Sequence, residues 1–402
     1  MASSPPQRPA IWWKNSIFFC GTHLAAAYGV YRRPPATVPK IILVATVVLW
    51  QLASFGITVG YHRLYSHRSF NASLGIRAAL ALVGASAFQG SIKWWCLRHR
   101  LHHRFTDDEE NDPYCAPRGL LFSHVGWIFF KPNYPKLHLI ERDDLEDDPV
   151  VRWQHQYFVP IAVTFGIIFP TVLGATYGDV VAGFIYPGLV ARLLIWHCTF
   201  LINSLAHWDG LQPYSDENTS RTNFLLAIFT AGEGNHNFHT FPHDYRSGPA
   251  KTDWDPSKWV ILTLAKLGVA WGLRRATPGD IAAAQAYMLS HGHNYNGAHG
   301  TVVEKEEWTG PTWTEAELKA HVERNGACVV LIDGYAVDVT GYMKAHPGGV
   351  KLLRDYAVPI EAGGKCDKWK EADWAFNGGV NGHSQVARQR MKRIRVARVT
   401  MT

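Results

Sequence analysis

Histidines carry the chemistry that this sequence is equipped to perform. His62 and His67 stand five apart in His-Arg-Leu-Tyr-Ser-His, His99, His102 and His103 follow in His-Arg-Leu-His-His, and His236 and His239 stand three apart in His-Asn-Phe-His. On a helix, spacings of three and four share one face, and a gap of five still leaves two side chains near each other. Imidazole is the commonest metal ligand at neutral pH, and iron is among the metals it suits. A lone histidine is ordinarily a satisfied polar residue. Three clusters, the first two just past long apolar runs, point instead to a shared metal site.

Composition narrows where such a site lies. A length of 402 residues is long for one core, so two domains are expected. Hydrophobic residues make up 47% of the chain and are bunched into runs, the pattern of a membrane protein. The net charge is +7, but the basic residues are spread around the apolar spans. That argues against nucleic acid and for an anionic membrane surface and an acidic, phosphate-bearing substrate. The six cysteines show no Cys-x-x-Cys pairing, and Cys20 and Cys198 lie inside apolar runs, which reads as reduced, cytosol-facing chemistry. The first fifteen residues, with Pro5, Pro6 and Pro9, do not resemble a cleavable signal, so the membrane address falls to the spans themselves.

Four spans are expected to position the histidines. Residues 15–31 hold no formally charged side chain and follow an aromatic anchor, Trp12-Trp13; residues 41–61 are 21 uncharged residues, enough to cross about 30 Å of hydrocarbon. Pro34, Pro35 and Pro39 turn between them and make a hairpin. Residues 153–178 and 180–208 make a second hairpin about Gly178-Asp179, the last span interrupted by Arg192, which is expected to be buried against protein or to snorkel. Residues 74–95 hold only 15 uncharged residues between Arg77 and Lys93, a length that suits an interfacial or re-entrant helix. Parity demands the same. If that segment crossed, the first two histidine clusters would face opposite sides of the membrane. Arg32, Arg33 and Lys40 offend the positive-inside rule, so the orientation rests on chemistry.

Between and beyond the spans, the acidic runs at 107–112 and 141–144 read as solvated loop, and residues 254–287 as an amphipathic stretch. Residues 286–311, with His291, His293 and His299 among Gly and Asn, read as a linker. From Thr312 the pattern becomes that of a small soluble domain. Thr314-Glu-Ala-Glu317 is a capping-box helix start, and residues 329–339 read as strand, Asp-Gly turn, strand. His346-Pro-Gly-Gly follows, with His383 further on.

His346-Pro-Gly-Gly resembles the haem loop of cytochrome b5, and the likeness covers residues 312–402. Pro ends the preceding element, and two glycines let backbone approach a flat macrocycle. The resemblance implies haem b held by His346 and His383, with no open position for oxygen. Thirty-six residues lie between them, where the family has about two dozen, so an insertion is expected around residues 358–365.

Residues 11–285 resemble the membrane acyl-CoA Δ9 desaturases, in the fungal type with a C-terminal cytochrome b5 domain. The matching text is Gly60 to His67, His99 to Asp107, Gly119 to Trp127, Asn203 to His207, and Gly232-Glu-Gly234. The implied architecture is an all-α membrane domain (1–285) of four transmembrane helices with a cytosolic helical cap, a linker (286–311), and a small α+β haem domain (312–402). The implied centre is two irons held by His62, His67, His99, His102, His103, His207, His236 and His239, with Asn203 reaching a metal through water. O2-dependent desaturation of a saturated fatty acyl-CoA is the implied activity. The site faces the cytosol from the endoplasmic reticulum membrane, with both termini cytosolic. Electrons come from NADH through cytochrome b5 reductase and the fused haem, since no nicotinamide-binding Gly-x-Gly-x-x-Gly unit is present. Gln89, Trp95 and Thr199 match positions that bend the acyl tunnel. Trp50 and Ser54, one turn apart below His62, are placed at its closed end, with ordinary helix packing as the alternative for each. Lys93, Arg98 and Lys131 are candidates for the CoA phosphates.

One departure bears on the chemistry. The family's third box reads His-x-x-His-His, but here His239 is followed by Thr240-Phe241-Pro242, which leaves eight histidines where nine are expected. His243 has the spacing to return to the same face, although Pro242 disfavours helix there. Two functional readings follow: a desaturase, and a catalytically impaired homologue serving as a membrane haem electron carrier.

Overall fold

The computed structural model describes residues 10–290, 308–343, 346, 348–359, 367–377, 383 and 385–400, which divide into two compact units. One comprises Met1–Leu211 with Asn218–Arg275, the other Gln212–Glu217 with Ala276–Thr402. The division therefore precedes the expected boundary at 285, which falls inside the helix Pro278–Ser290. That helix belongs to the second unit, where its buried Asp280 pairs with Arg390 and Arg393 at 2.6 and 2.7 Å. Of the expected linker, residues 291–307 lie outside the described residues, and with them His291, His293 and His299.

In the first unit, α1 (Trp13–Arg32) and α2 (Lys40–Ser66) form one hairpin, and α5 (Phe158–Thr176) and α6 (Val180–His207) form another; α3 (Leu74–Ala85) and α4 (Ile92–Arg104) lie between them in sequence. Helices α2, α5 and α6 are long and apolar enough to cross a membrane; α1 matches them in length with 20 residues but is less apolar. The two hairpin turns meet. Arg33 pairs with Asp179, Asp179 caps α6 through the amide of Ala182 at 2.9 Å, and the Tyr186 hydroxyl donates to the Arg33 carbonyl at 2.7 Å. Helices α2 and α6 start at that end and carry His62 and His207 in or at their last turns, so both deliver histidines to the same far end, as the two-hairpin reading requires.

Segment 74–95 does not form one long helix. Helix α3 has 12 residues, about 18 Å, well short of the hydrocarbon thickness. The chain then turns through Phe88 and Gly90, at φ 55° and 93°. Helix α3 lies tight against α2: a Cβ on Gly56 would stand 2.4 Å from the Gly84 amide nitrogen, so only glycine fits that crossing.

Three expectations are corrected. The third apolar helix begins at Phe158, because the helix Pro149–Gln156, capped by Asp148, ends at Tyr157. The stretch 254–287 is two helices, Pro256–Lys266 and Pro278–Ser290, interrupted where Ala270 and Trp271 pair with Ala72 and Asn71. Neither acidic run is simply solvated, for reasons given with the site below. Arg192 is buried against protein, 1% exposed, and donates to the Gly166 carbonyl at 3.2 Å.

The second unit holds a four-stranded sheet of β1 (Thr312–Thr314), β2 (Val329–Ile332), β3 (Tyr335–Asp338) and β4 (Arg395–Thr400) in the order β1-β4-β3-β2. Asp333 and Gly334, at φ 51° and 76°, make the tight turn of the β2–β3 hairpin. The helix Glu315–Asn325 starts with the capping box Thr314/Glu317, and Leu318 and Val322 bury against Val329, Ala336 and Ala397.

Candidate metal centre

Helix α2 ends in a π-helical turn, Gly56–Ser66, in which the His67 amide donates to the His62 carbonyl at 3.0 Å. A π turn brings i and i+5 into register, so His62 and His67 stand together, ring centroids 4.7 Å apart. Helix α4, whose N-cap Ser91 accepts from Trp94, carries His99, His102 and His103. A 3₁₀ turn, His236–Thr240, puts His236 and His239 on one face, stacked at 5.4 Å.

These eight histidines form two groups: His62, His67, His99, His103 and His239, and His102, His207 and His236, with donor atoms within 4.8 Å of one another in each. The groups adjoin, since His102 lies 5.6 Å from His103 by ring centroid. In the larger group Nε2 atoms converge: His62 on His239 at 3.0 Å, and His99 on His67 and His103 at 2.8 and 3.1 Å. Five imidazole nitrogens turned on one point are a donor set for a cation. Burial and the neighbouring imidazoles hold His67, His99, His103 and His239 well below the ordinary histidine range, and His236 at about 3. The rings are therefore neutral at pH 7, the form that binds metal.

The outer partners fix the tautomers. The Thr219 hydroxyl donates its one proton to Asp107 at 2.8 Å, so His207 Nδ1–H donates to Thr219 at 2.8 Å and leaves Nε2 as the ligand atom. That Nε2 is buried and has no hydrogen-bond partner. His102 Nδ1 bonds to Asp112 at 2.8 Å, and Asp112 also accepts from the amides of Asp107 and Tyr114. Burial works against the charged form of His102, but Asp112 outweighs it and raises the imidazole above its usual value. Sequence reading missed these partners: Asp107 and Asp112 sit in the run read as solvated, and Asp112 is only 5% exposed. The second run is likewise engaged, Asp144 pairing with Arg100 at 2.6 Å. The signal was the short reach from the second histidine box to both aspartates.

Arg63, between the first two histidines, is buried and donates to Glu233 at 2.8 and 3.0 Å, to Asp255 at 3.0 Å and to the Tyr245 carbonyl at 2.8 Å. Burial would raise Glu233, but Arg63 beside it holds the carboxyl at about 2, and Glu233 Oε2 lies 3.4 Å from His62 Nδ1. This network ties α2 to the loop before His236 and to the helix Pro256–Lys266.

Among the other expected site residues, Trp95, Gln89 and Thr199 are joined: Trp95 Nε1 donates to Gln89 at 3.3 Å and Gln89 Nε2 to Thr199 at 2.8 Å. Trp50 and Ser54 stack along α2, with the Ser54 hydroxyl donating to the Trp50 carbonyl at 2.9 Å. Asn203 ends the regular part of α6, one turn before His207. His243 belongs to neither group, though its charge acts on His67. Lys131 is exposed, and Lys93 is paired with Glu146 at 2.9 Å. Arg98 is 2% exposed, its guanidinium lying over Trp94, Trp127 and Tyr114 at 4.1, 4.6 and 4.9 Å, so the structure does not present it to a phosphate at the surface.

In the second unit, His346 and His383 face each other, centroids 6.1 Å apart and 19° from parallel. His383 Nδ1 donates to the Phe376 carbonyl at 2.9 Å and His346 Nδ1 to that of Gly349 at 3.3 Å, which orients both rings. A Cβ on Gly348 would lie 2.9 Å from the His346 ring. Two parallel imidazoles so oriented fit the axial pair of a haem. Residues 360–365 of the expected insertion lie outside the described residues, as do Pro347 and residues 378–382.

Comparison with known proteins places both units. A family described as fatty acid desaturase matches residues 35–247, and one described as cytochrome b5-like heme/steroid binding domain matches residues 314–358. The chain belongs to the fatty acid desaturase family. It is 36% identical over 390 residues to a probable acyl-CoA desaturase of Schizosaccharomyces pombe, spanning 96% of this chain and 77% of that one. It is 35% identical over 394 residues to acyl-CoA desaturase 1 of Saccharomyces cerevisiae, spanning 96% and 73%. Human stearoyl-CoA desaturase 5 is 35% identical over 286 residues, 70% of this chain and 86% of its own. Within that family of oxidoreductases the chain is a fusion, a desaturase followed by a cytochrome b5-like domain.

Proposed function

We propose that this protein introduces a cis double bond at the Δ9 position of a saturated fatty acyl-CoA such as stearoyl- or palmitoyl-CoA. The observation that supports the reading best is the meeting of eight histidines from α2, α4, α6 and the 236–240 turn at one end of apolar helices. Iron bound there supplies O2 activation and the power to oxidise an unactivated methylene pair. The acyl chain gives up two hydrogens, O2 becomes two waters, and the balance takes two electrons and two protons. His346 and His383 would hold a haem, which would supply one-electron transfer to the desaturase, with NADH and cytochrome b5 reductase as the source of the electrons. Tethering that haem to the desaturase replaces encounter by a high effective concentration.

The chain's own residues prepare the site. Asp112 and the Asp107–Thr219 pair aim His102 and His207, and Arg63 with Glu233 locks the π turn of His62. Trp95, Gln89 and Thr199, linked to one another, serve as the wall that bends the acyl chain beside His99, with Trp50 and Ser54 deeper along α2 and Lys131 toward the CoA. Asn203, one turn before His207, would hold a water on the metal side of α6. The setting is the endoplasmic reticulum membrane, crossed four times by α1, α2, α5 and α6, with both termini and the site cytosolic. The exposed apolar side chains Ile17, Phe18 and Leu24 support counting α1 as a crossing.

The test is turnover of stearoyl-CoA by the full chain in nanodiscs with NADH, cytochrome b5 reductase and O2, with the product analysed by mass spectrometry. A double bond between carbons 9 and 10 is expected; a hydroxylated product, or a double bond elsewhere, overturns the assignment. The alternative, a haem carrier with a degenerate metal site, draws on the three-membered histidine group. Haem without non-haem iron in the reconstituted protein would decide for it.

A further inference from the structure

We propose that the two metal positions are unequal: the five-histidine group retains its metal, while the three-histidine group holds one that exchanges and leaves coordination positions to water or an added ligand. This rests on the iron-binding reading above. The inequality comes from how the histidine segments are shared out. The π turn gives both of its histidines, His62 and His67, to the larger group. Helix α4 gives it His99 and His103 and gives His102 to the smaller, and the 3₁₀ turn gives one to each.

The smaller group is nonetheless built as a metal site. His102, His207 and His236 are 5%, 7% and 5% exposed, and two of them are aimed by carboxylate-backed partners. The buried Nε2 of His207, with no hydrogen-bond partner, carries the desolvation penalty that only a ligand relieves. Two of the three rings are oriented from outside, and donor number is short. Among the described residues no further His, Cys, Asp or Glu joins the three. The residue after His239 is Thr240, and His243 belongs to neither group. Three imidazoles leave open the positions that a structural site would close. Losing an outer-shell partner alone costs about 10–100-fold in metal affinity, and a missing donor nitrogen weakens the position at least as much.

The experiment uses the full chain in detergent, loaded anaerobically with ferrous iron. Non-haem iron is counted as total iron less haem iron while a chelator is raised in steps. Two non-haem irons per chain are expected at saturation, and one is expected to leave at chelator concentrations at least ~10-fold below those that remove the other. His207→Ala is expected to cap the content at one, with the resistance of that iron unchanged. A histidine inserted between His239 and Thr240 is expected to bring the labile iron toward the resistant one. Two irons leaving in a single step, or His207→Ala removing the resistant iron, overturns the inference while leaving the desaturase reading intact. No non-haem iron at any loading overturns both.

Discussion

The indole of Trp95 lies against the imidazole of His99, ring centroids 4.8 Å apart and planes 24° from parallel. Through Gln89 the same indole is tied to Thr199, so three residues of the proposed acyl wall form one chain that ends on a member of the five-histidine group. Thr199→Val removes the nearer acceptor of the Gln89 amide and leaves it only the longer contact with the Ile195 carbonyl at 3.5 Å, which loosens the chain from Trp95 to Thr199. The variant is expected to change the position of the double bond or the chain-length preference at unchanged iron content. Mass spectrometry of the products checks this; a wild-type product profile at wild-type rate counts against it.

Asp112→Ala leaves His102 without the carboxylate that holds its tautomer. Iron affinity at the three-histidine group is expected to fall ~10–100-fold, with occupancy recovered at high iron. An iron titration that overlays the wild type would remove Asp112 from the metal's support.

Arg63 is buried between Glu233 and Asp255. Glu233→Gln leaves that guanidinium short of one counter-charge, and breaking a buried pair costs about 3–5 kcal/mol. Thermal unfolding of the solubilised protein is expected at a clearly lower midpoint. A shift too small to resolve would mean that Asp255 compensates alone.

Acid is expected to destabilise the metal-free protein well before carboxylates titrate. His67, His99, His103 and His239 are held below the ordinary range and His236 at about 3, whereas in the unfolded chain each takes a proton near pH 6.5. Below pH 6.5 the unfolded state binds more protons, so stability falls as pH drops toward the folded values. His102, raised by Asp112, opposes this with one group against five. Unfolding midpoints of chelator-stripped protein from pH 7.5 to 5.5 check the sign, and a flat or rising series toward acid contradicts it.

His383→Ala is expected to replace the six-coordinate low-spin haem spectrum by one with an open axial position and to stop NADH-driven turnover. Non-haem iron should stay at the wild-type level, because His383 belongs to the second unit. Unchanged haem absorption would show that another residue is the ligand.

Much of this was legible in the sequence, and the reasons differ by residue. Histidine spacing picks out seven members of the two groups because ligand chemistry restricts residue type, whereas His207, alone in its stretch, comes only through the family resemblance. Span length and parity keep segment 74–95 out of the crossing set. The division of the histidines into five and three was not legible, since it depends on a π turn that no spacing rule announces. Asp107 and Asp112 were hidden for the opposite reason: an acidic run resembles a solvated loop until a buried imidazole is found beside it. The break at Tyr157 follows from local backbone, which composition averages away.

Because α4 and the 236–240 turn each contribute to both groups, the eight histidines join stretches of chain up to about 175 residues apart. A cation bound there would fasten those stretches to one another, so that stripping it would loosen the fold itself.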